Sequence, residues 1–242
     1  MSKRPDYGID APGVLRNLFL GGIACVLAGI FVPQIFSVGH VSFKLKSGFY
    51  TTGTILLVET ALYLLYVKWG KFRHRDTMLA QHAWSGDESV LDVGCGRGLL
   101  VIGAAKHLTT GTSIGIDIWS NKDMGGNAMD RTMKNARLEG VENRVTLLTE
   151  DVRKLSFADA TFDVVVSNLC LHNISSREGR HAAIEDIVRV LKPGGQAILS
   201  DYRHTGEYAK AMRAAGMYIV KRRINPVTTF PPLTYIVATK PQ

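Results

Sequence analysis

Between Arg16 and Lys44 the chain carries no Asp, Glu, Lys or Arg, and the centre of that run reads NLFLGGIACVLAGIFV. A bilayer core of roughly 30 Å takes about 20 apolar residues in an α-helix, so this run is long enough to span one. A second run, between Lys46 and Lys68, contains TTGTILLVETALYLLYV with Glu59 as its single charge. Together they predict a hairpin of two transmembrane helices in residues 1–70. A signal peptide has only roughly 7–15 apolar residues and would not be followed by a second span. Gly21, Cys25 and Gly29 recur every four residues and mark the expected face of close helix approach. Tyr63, Tyr66 and Trp69 are expected at headgroup level. Glu59, costly in lipid if charged and alone, is expected to be protonated, paired or facing protein, the simplest case being a hydrogen bond across the hairpin to Thr, Ser or Gln34. Lys3, Arg4 and Arg16 precede the first span and Lys68, Lys71, Arg73 and Arg75 follow the second, with only Lys44 and Lys46 between. That asymmetry places both termini in the cytoplasm, the protein being integral to the membrane. The same helices offer a surface for oligomers.

From residue 85 the pattern changes to short apolar runs alternating with helical stretches. SVLDVG, TSIGIDI, RVTLLTE, TFDVVVSN, QAILSD, YIVKRR and LTYIVAT read as strands, and helices are expected at about 98–108, 127–139, 177–191 and 205–215. Gly111, Gly140 and Gly216 are helix stop signals. This alternation is that of βαβ units and a parallel sheet. The last two strands are joined by INPVTTFPP, too short for a parallel crossover, so the final strand is antiparallel to its neighbour. Residues 70–84 predict a helix leading from the membrane to the sheet. The domains are thus 1–70, a membrane anchor, and 71–242, an α/β domain.

Hydrophobic residues make up 46% of the chain against 21% charged, enough for a real core, and a net charge of +8 suits an anionic partner. Arg213, Lys221, Arg222 and Arg223 have no aromatic stacking platform among them, so a membrane surface is expected rather than nucleic acid. The three cysteines form no CxxC pair, which leaves neither a disulfide framework nor a metal site.

The segment LDVGCGRG at 91–98 runs from a buried strand through Gly94, Gly96 and Gly98 into a helix N-terminus, a place where a ligand meets bare backbone. The spacing is GxGxG rather than the GxGxxG of dinucleotide binders. Asp117 ends the next strand about 20 residues on, where a carboxylate can accept from ribose hydroxyls. Asp151 and Val152 follow the third strand, placed to meet an adenine. Taken in order, DVGCGRG, GIDI, EDV, FDVVVSN and LKPGG resemble the class I S-adenosylmethionine-dependent methyltransferases over roughly residues 72–240. The resemblance implies a Rossmann-like, mostly parallel seven-stranded sheet with an antiparallel last strand and S-adenosylmethionine as cofactor. It assigns Gly94, Gly96 and Gly98 to the methionine part of the cofactor, with Cys95 a small residue of the same loop. Asp92 falls at the amino end, Asp117 and Ile118 at the ribose, Asp151 and Val152 at adenine, and the Asn168 backbone near the amino group. Asp163 is expected to shape the fourth strand.

Methyl transfer is an in-line displacement in which the protein mainly positions donor and acceptor, helped by a base where the acceptor loses a proton. His172, in the SNLCLHN loop, is the first candidate base; Asp201, Tyr202, Arg203 and His204 at the end of the fifth strand form a second set, and Asn173 could orient an acceptor. The FDVVVSN and LHN segments are similar to enzymes acting on quinols and other lipids, and SNLC replaces the NPPY tetrad of relatives that methylate planar nitrogens. The expected activity is methyl transfer to a small apolar or lipid-like acceptor: quinol or phenol oxygen, lipid amine, ring carbon or thiol. The alternative is a non-catalytic binding or scaffold protein on the same fold, against which the intact glycines and Asp117 speak.

Overall fold

The computed structural model describes residues 4–120 and 127–242, so Lys3 lies outside the described residues. Helix α1 (Pro12–Phe31) opens with proline, whose missing N–H costs nothing in a first turn, and runs antiparallel to α2 (Leu45–Leu65). They are joined by a two-stranded ribbon, β1 (Phe36–Val38) and β2 (Val41–Phe43). Both helices are long and apolar enough to cross a membrane. Their contact face is shifted from the one expected: Gly22 rather than Gly21 meets the partner helix. A Cβ on Gly22 would lie 2.9 Å from Leu57 and one on Gly53 3.0 Å from the Gly22 carbonyl, whereas one on Gly21 has 3.5 Å to Leu56. Gly29 packs on Tyr50 as the pattern predicted. Glu59 is half-buried and makes no hydrogen bond among the described residues, so the expected bond across the hairpin is not formed.

Past α2 the helix widens into a single π turn, Tyr66–Gly70, and continues as α3 (Lys71–Leu79). Met78 and Leu79 of α3 are buried against the sheet with Val90, Val164 and Tyr235. His74 of α3 sits 2.7 Å from Ser200 Oγ inside the fold.

The domain alternates as the sequence predicts: β3 (Ser89–Val93), α4 (Leu99–Ala105), β4 (Thr112–Asp117), α5 (Met129–Leu138), β5 (Val145–Thr149), β6 (Phe162–Asn168), α6 (Arg177–Val190), β7 (Leu191–Asp201), α7 (Thr205–Ala214), β8 (Tyr218–Asn225) and β9 (Leu233–Thr239). The seven-stranded order is β5-β4-β3-β6-β7-β9-β8, with β9 antiparallel to both neighbours and the pairs from β5 to β7 parallel. β7 starts at Leu191, earlier than QAILSD implied; Phe162 pairs with Leu191 and Val164 with Gln196, so the LKPGG turn is absorbed as an irregularity within the strand. Asp163 accepts from the Ser89 N–H at 2.8 Å and from Lys192, bracing β6 as expected. Strand order reverses between β3 and β6, and a crevice opens at their carboxyl ends, where such sheets bind ligands.

Candidate active site

β3 delivers Asp92 and Val93, then the backbone turns through Gly94, Gly96 and Gly98 with φ of 73°, 50° and 92°. Only glycine enters that left-handed region without strain. At Gly94 a side chain is excluded twice over, because its Cβ would lie 2.3 Å from Cys170 Sγ. The carboxyl of Asp92 is 1% exposed and accepts from the Val101 N–H at 2.8 Å. Burial pushes its pKa up to about 8 against the pull of that N–H. Cys95 is buried against the α4 core, and burial also raises its thiol, so it lines the loop rather than serving as a nucleophile.

Asp117 is a structural hub of the crevice. Its carboxylate accepts from Gly96 N–H at 2.8 Å, Trp119 N–H at 2.7 Å and Asn127 Nδ2 at 3.2 Å. Three of a carboxylate's roughly four lone-pair sites are used, which leaves room for one further donor. Asp151 is paired with the exposed Arg153, and its hydrogen bond to that guanidinium holds its carboxyl below the usual carboxylate range. Val152 is buried beside it. Ile118 is exposed on the rim. Asn168 ends β6 with its Oδ1 buried and unpartnered, as is Asn127 Oδ1.

The structure brings three of the candidate catalytic residues together. Asp201, almost wholly buried, lies 2.8 Å from His172 Nδ1 and accepts from the His172 backbone N–H at 3.1 Å. It also accepts from Tyr202 N–H at 2.8 Å and from the Tyr208 hydroxyl at 3.3 Å. The Tyr202 and His172 rings meet edge to face with centroids 4.7 Å apart, and Arg203 lies over the Tyr202 ring and reaches the His172 carbonyl. His172, Asn173 and Tyr202 face the cavity; Asp201 stands behind them. His204 points elsewhere, toward Glu207.

The glycine loop, Asp117, Asp151, Asn168, His172 and Tyr202 border one cavity of about 610 Å³. Part of its wall was not foreseen. Residues 6–10, ahead of α1, lie over the glycine loop: Asp6 pairs with Arg97 at 2.6 Å and exchanges two hydrogen bonds with Asn135. The Tyr7 hydroxyl reaches Glu139, and Lys71 Nζ donates to the carbonyls of Tyr7 and Gly8. Tyr63 donates to the Asp10 carbonyl, and Tyr63 and Tyr66 are buried against this strap, whereas Trp69 is exposed. Asp10, Val14, Tyr63, Tyr66, Phe230 and Pro231 complete the wall. A boundary at residue 70 cuts through these contacts. The one available signal was two tyrosines three apart at a helix end, which reads equally as a belt or as a pocket.

Residues 90–195 match the family described as "Methyltransferase domain". By that match the segment, 106 of the chain's 242 residues, is similar to methyltransferase domains. Among curated proteins the chain is 32% identical over 120 residues to a sterol 4-C-methyltransferase of Caenorhabditis elegans, covering 50% of this chain and 33% of that one. It is 31% identical over 132 residues to a demethylmenaquinone methyltransferase of Symbiobacterium thermophilum, covering 54% and 48%. The chain therefore spans a third to a half of these relatives. In fold, the chain resembles the [4+2]-cyclase SpnF (TM-score 0.59, 20% identity, 70% of this chain and 81% of that). It also resembles an S-adenosylmethionine-dependent methyltransferase of Methanosarcina mazei (TM-score 0.53, 21% identity, 65% and 94%).

The crevice fits the cofactor this fold implies. The bare backbone at Gly94, the two orphaned amide oxygens at Asn127 and Asn168, and the remaining acceptor site on Asp117 are what a molecule with ammonium, amino and hydroxyl donors would satisfy. The glycine loop and Asn168 would hold its methionine part, Asp117 and Ile118 its ribose, and Val152 with Asp151 its adenine.

Proposed function

We propose that the protein is a membrane-anchored methyltransferase that transfers a methyl group from S-adenosylmethionine to a small apolar or lipid-like acceptor. One observation carries this reading: a single cavity is walled by the glycine loop on one side and by the ends of two bilayer-length apolar helices on the other. Aromatic and aliphatic side chains predominate in that second wall, with Asp10 and Lys71 among them, so it suits an acceptor that partitions into lipid. The names of the sterol and demethylmenaquinone relatives support an apolar acceptor. The basic residues flanking the two runs support a cytoplasmic catalytic domain with both termini on that side.

When bound, S-adenosylmethionine supplies the electrophilic methyl group. His172 is the base: Asp201, 2.8 Å from Nδ1, stands behind a ring that faces the cavity and can there take a proton from the substrate. Tyr202 and Arg203 fix the ring plane, and Asn173 offers the acceptor a hydrogen-bonding group. The anchor raises the effective concentration of a bilayer-dissolved acceptor at the cavity without entering the chemical step.

Incubating membranes that contain the full chain with methyl-labelled S-adenosylmethionine and fractionated lipid, quinone and thiol pools tests the reading. Label should appear in a lipid or quinone fraction and disappear with His172→Ala. Tight cofactor binding with no transfer to any pool would instead point to a binding protein on this fold.

A further inference from the structure

Helix α3 lies along β8 in the opposite direction. A Cβ on Gly70 would fall 2.1 Å from the Thr228 carbonyl, Asn225 Nδ2 donates to His74 Nδ1 at 3.0 Å, and Lys221 donates to Gln81 at 2.8 Å. These contacts pin the turn between β8 and β9 to the membrane-proximal end of α3, next to Trp69, which is 61% exposed. Since α2 has 21 residues, about the thickness of a bilayer core, Trp69 stands one turn beyond it, at headgroup depth.

At the tip of this turn Val227 is 89% exposed, and Ile224 beside it is 56% exposed. The tip is rigidly presented. Asn225 accepts from Thr228 N–H at 3.2 Å and donates to Thr228 Oγ1 at 2.7 Å, while Thr229 bonds the Asn225 carbonyl and the Leu233 N–H. Arg222 and Arg223 earlier on β8 and, across the seam, Lys68 are exposed, Arg222 also donating to Thr205 Oγ1 at 3.2 Å. An ordered turn that spends its hydrogen bonds on presenting a valine, near cations and abutting a bilayer-length helix, matches an anionic lipid interface in shape and charge.

We propose that the β8–β9 turn is a second membrane contact of the domain: Val227 enters the interface of the bilayer that the hairpin crosses, and Arg222 and Arg223 face its anionic headgroups. The inference rests on the membrane reading of the hairpin. It also explains the position of Phe230 and Pro231, which follow the turn and line the cavity: the contact holds that lip of the cavity against the lipid, so an apolar acceptor enters beneath it.

The test uses the full chain in vesicles of phosphatidylcholine and phosphatidylserine, with Val227→Cys or Glu142→Cys carrying an environment-sensitive fluorophore. Glu142 is exposed at the amino-terminal end of β5, the opposite edge of the sheet. Wild-type chain taken through the labelling corrects for Cys25, Cys95 and Cys170. The label at 227 should be blue-shifted and quenched by doxyl-lipid several-fold more than the label at 142. Omitting phosphatidylserine, or adding Arg222→Gln with Arg223→Gln, should weaken that quenching. Co-flotation with vesicles together with a water-exposed label at 227 overturns this inference alone. Chain that fails to float with vesicles overturns the membrane reading and this inference with it. Quenching indifferent to lipid charge and to both arginines overturns their headgroup role.

Discussion

In the sheet domain Leu91, Val93, Val165 and Ile198 are fully buried, whereas in the hairpin Leu20, Leu27, Ile30 and Val58, residues of the same kind, stand about half exposed. The domain gains roughly 1.5–3 kcal/mol for each large apolar side chain it takes from water. The hairpin forgoes that gain, and its two helices meet through Gly22, Gly29 and Gly53, where backbones approach closely. Burial holds one region together; close backbone approach holds the other, the packing that the proposed bilayer setting would call for. The difference teaches that like residues are used in two ways in one chain, and the strap at residues 6–10, bonded to Arg97, Asn135, Tyr63 and Lys71, couples the two regions.

Glycine substitutions separate the two regimes most sharply. Gly94→Ala drives a methyl into Cys170 at a positive φ, and calorimetry should find cofactor binding abolished. Gly21→Ala in the hairpin, with 3.5 Å to spare, should leave it unchanged. Next comes chemistry confined to the domain: His172→Ala should slow methyl transfer by ~10²-fold or more while cofactor affinity holds. A full rate in that variant would move the base elsewhere or remove it. Asp117→Ala leaves Gly96, Trp119 and a ribose without their charged acceptor, a loss of about 1.5–3 kcal/mol that titration should register as roughly ten- to hundredfold weaker binding.

A smaller effect probes the coupling itself. Asp6→Ala removes one partner of the buried Arg97 and loosens the strap, costing about 1 kcal/mol, so cofactor affinity should fall a few-fold although Asp6 lies ahead of the hairpin and outside the sheet domain. Identical affinities for variant and parent would mean that the two regions work independently. The smallest effect is one of pH. Because burial raises the Asp92 pKa to about 8 from an unfolded value near 4, the folded domain holds the extra proton between those limits and its stability declines as pH rises through them. Asp92→Asn should flatten that decline in denaturant titrations run across the window.

The order of strands and helices was legible because β-branched runs, helical stretches and glycine stops agree at each step; the boundaries of α4, α5, α6 and α7 fall within a few residues of those read from the pattern. The cradle was legible for a related reason, since Gly94, Gly96, Gly98 and Asp117 are demanded by local backbone geometry and a strand end. What the sequence could not show depends on distance. Which of Gly21 and Gly22 faces α2 turns on a rotation of about 100° about one helix axis. The pairing of His172 with Asp201 joins loops after two different strands, and the folding of Asp6 to Asp10 over the glycine loop brings together residues some 90 to 130 positions apart. Local sequence determined the elements and the cofactor cradle through residue size and backbone freedom. Only the tertiary packing of strap, wide turn and sheet decided that the hairpin and the crevice share one cavity, because no local preference encodes a long-range contact.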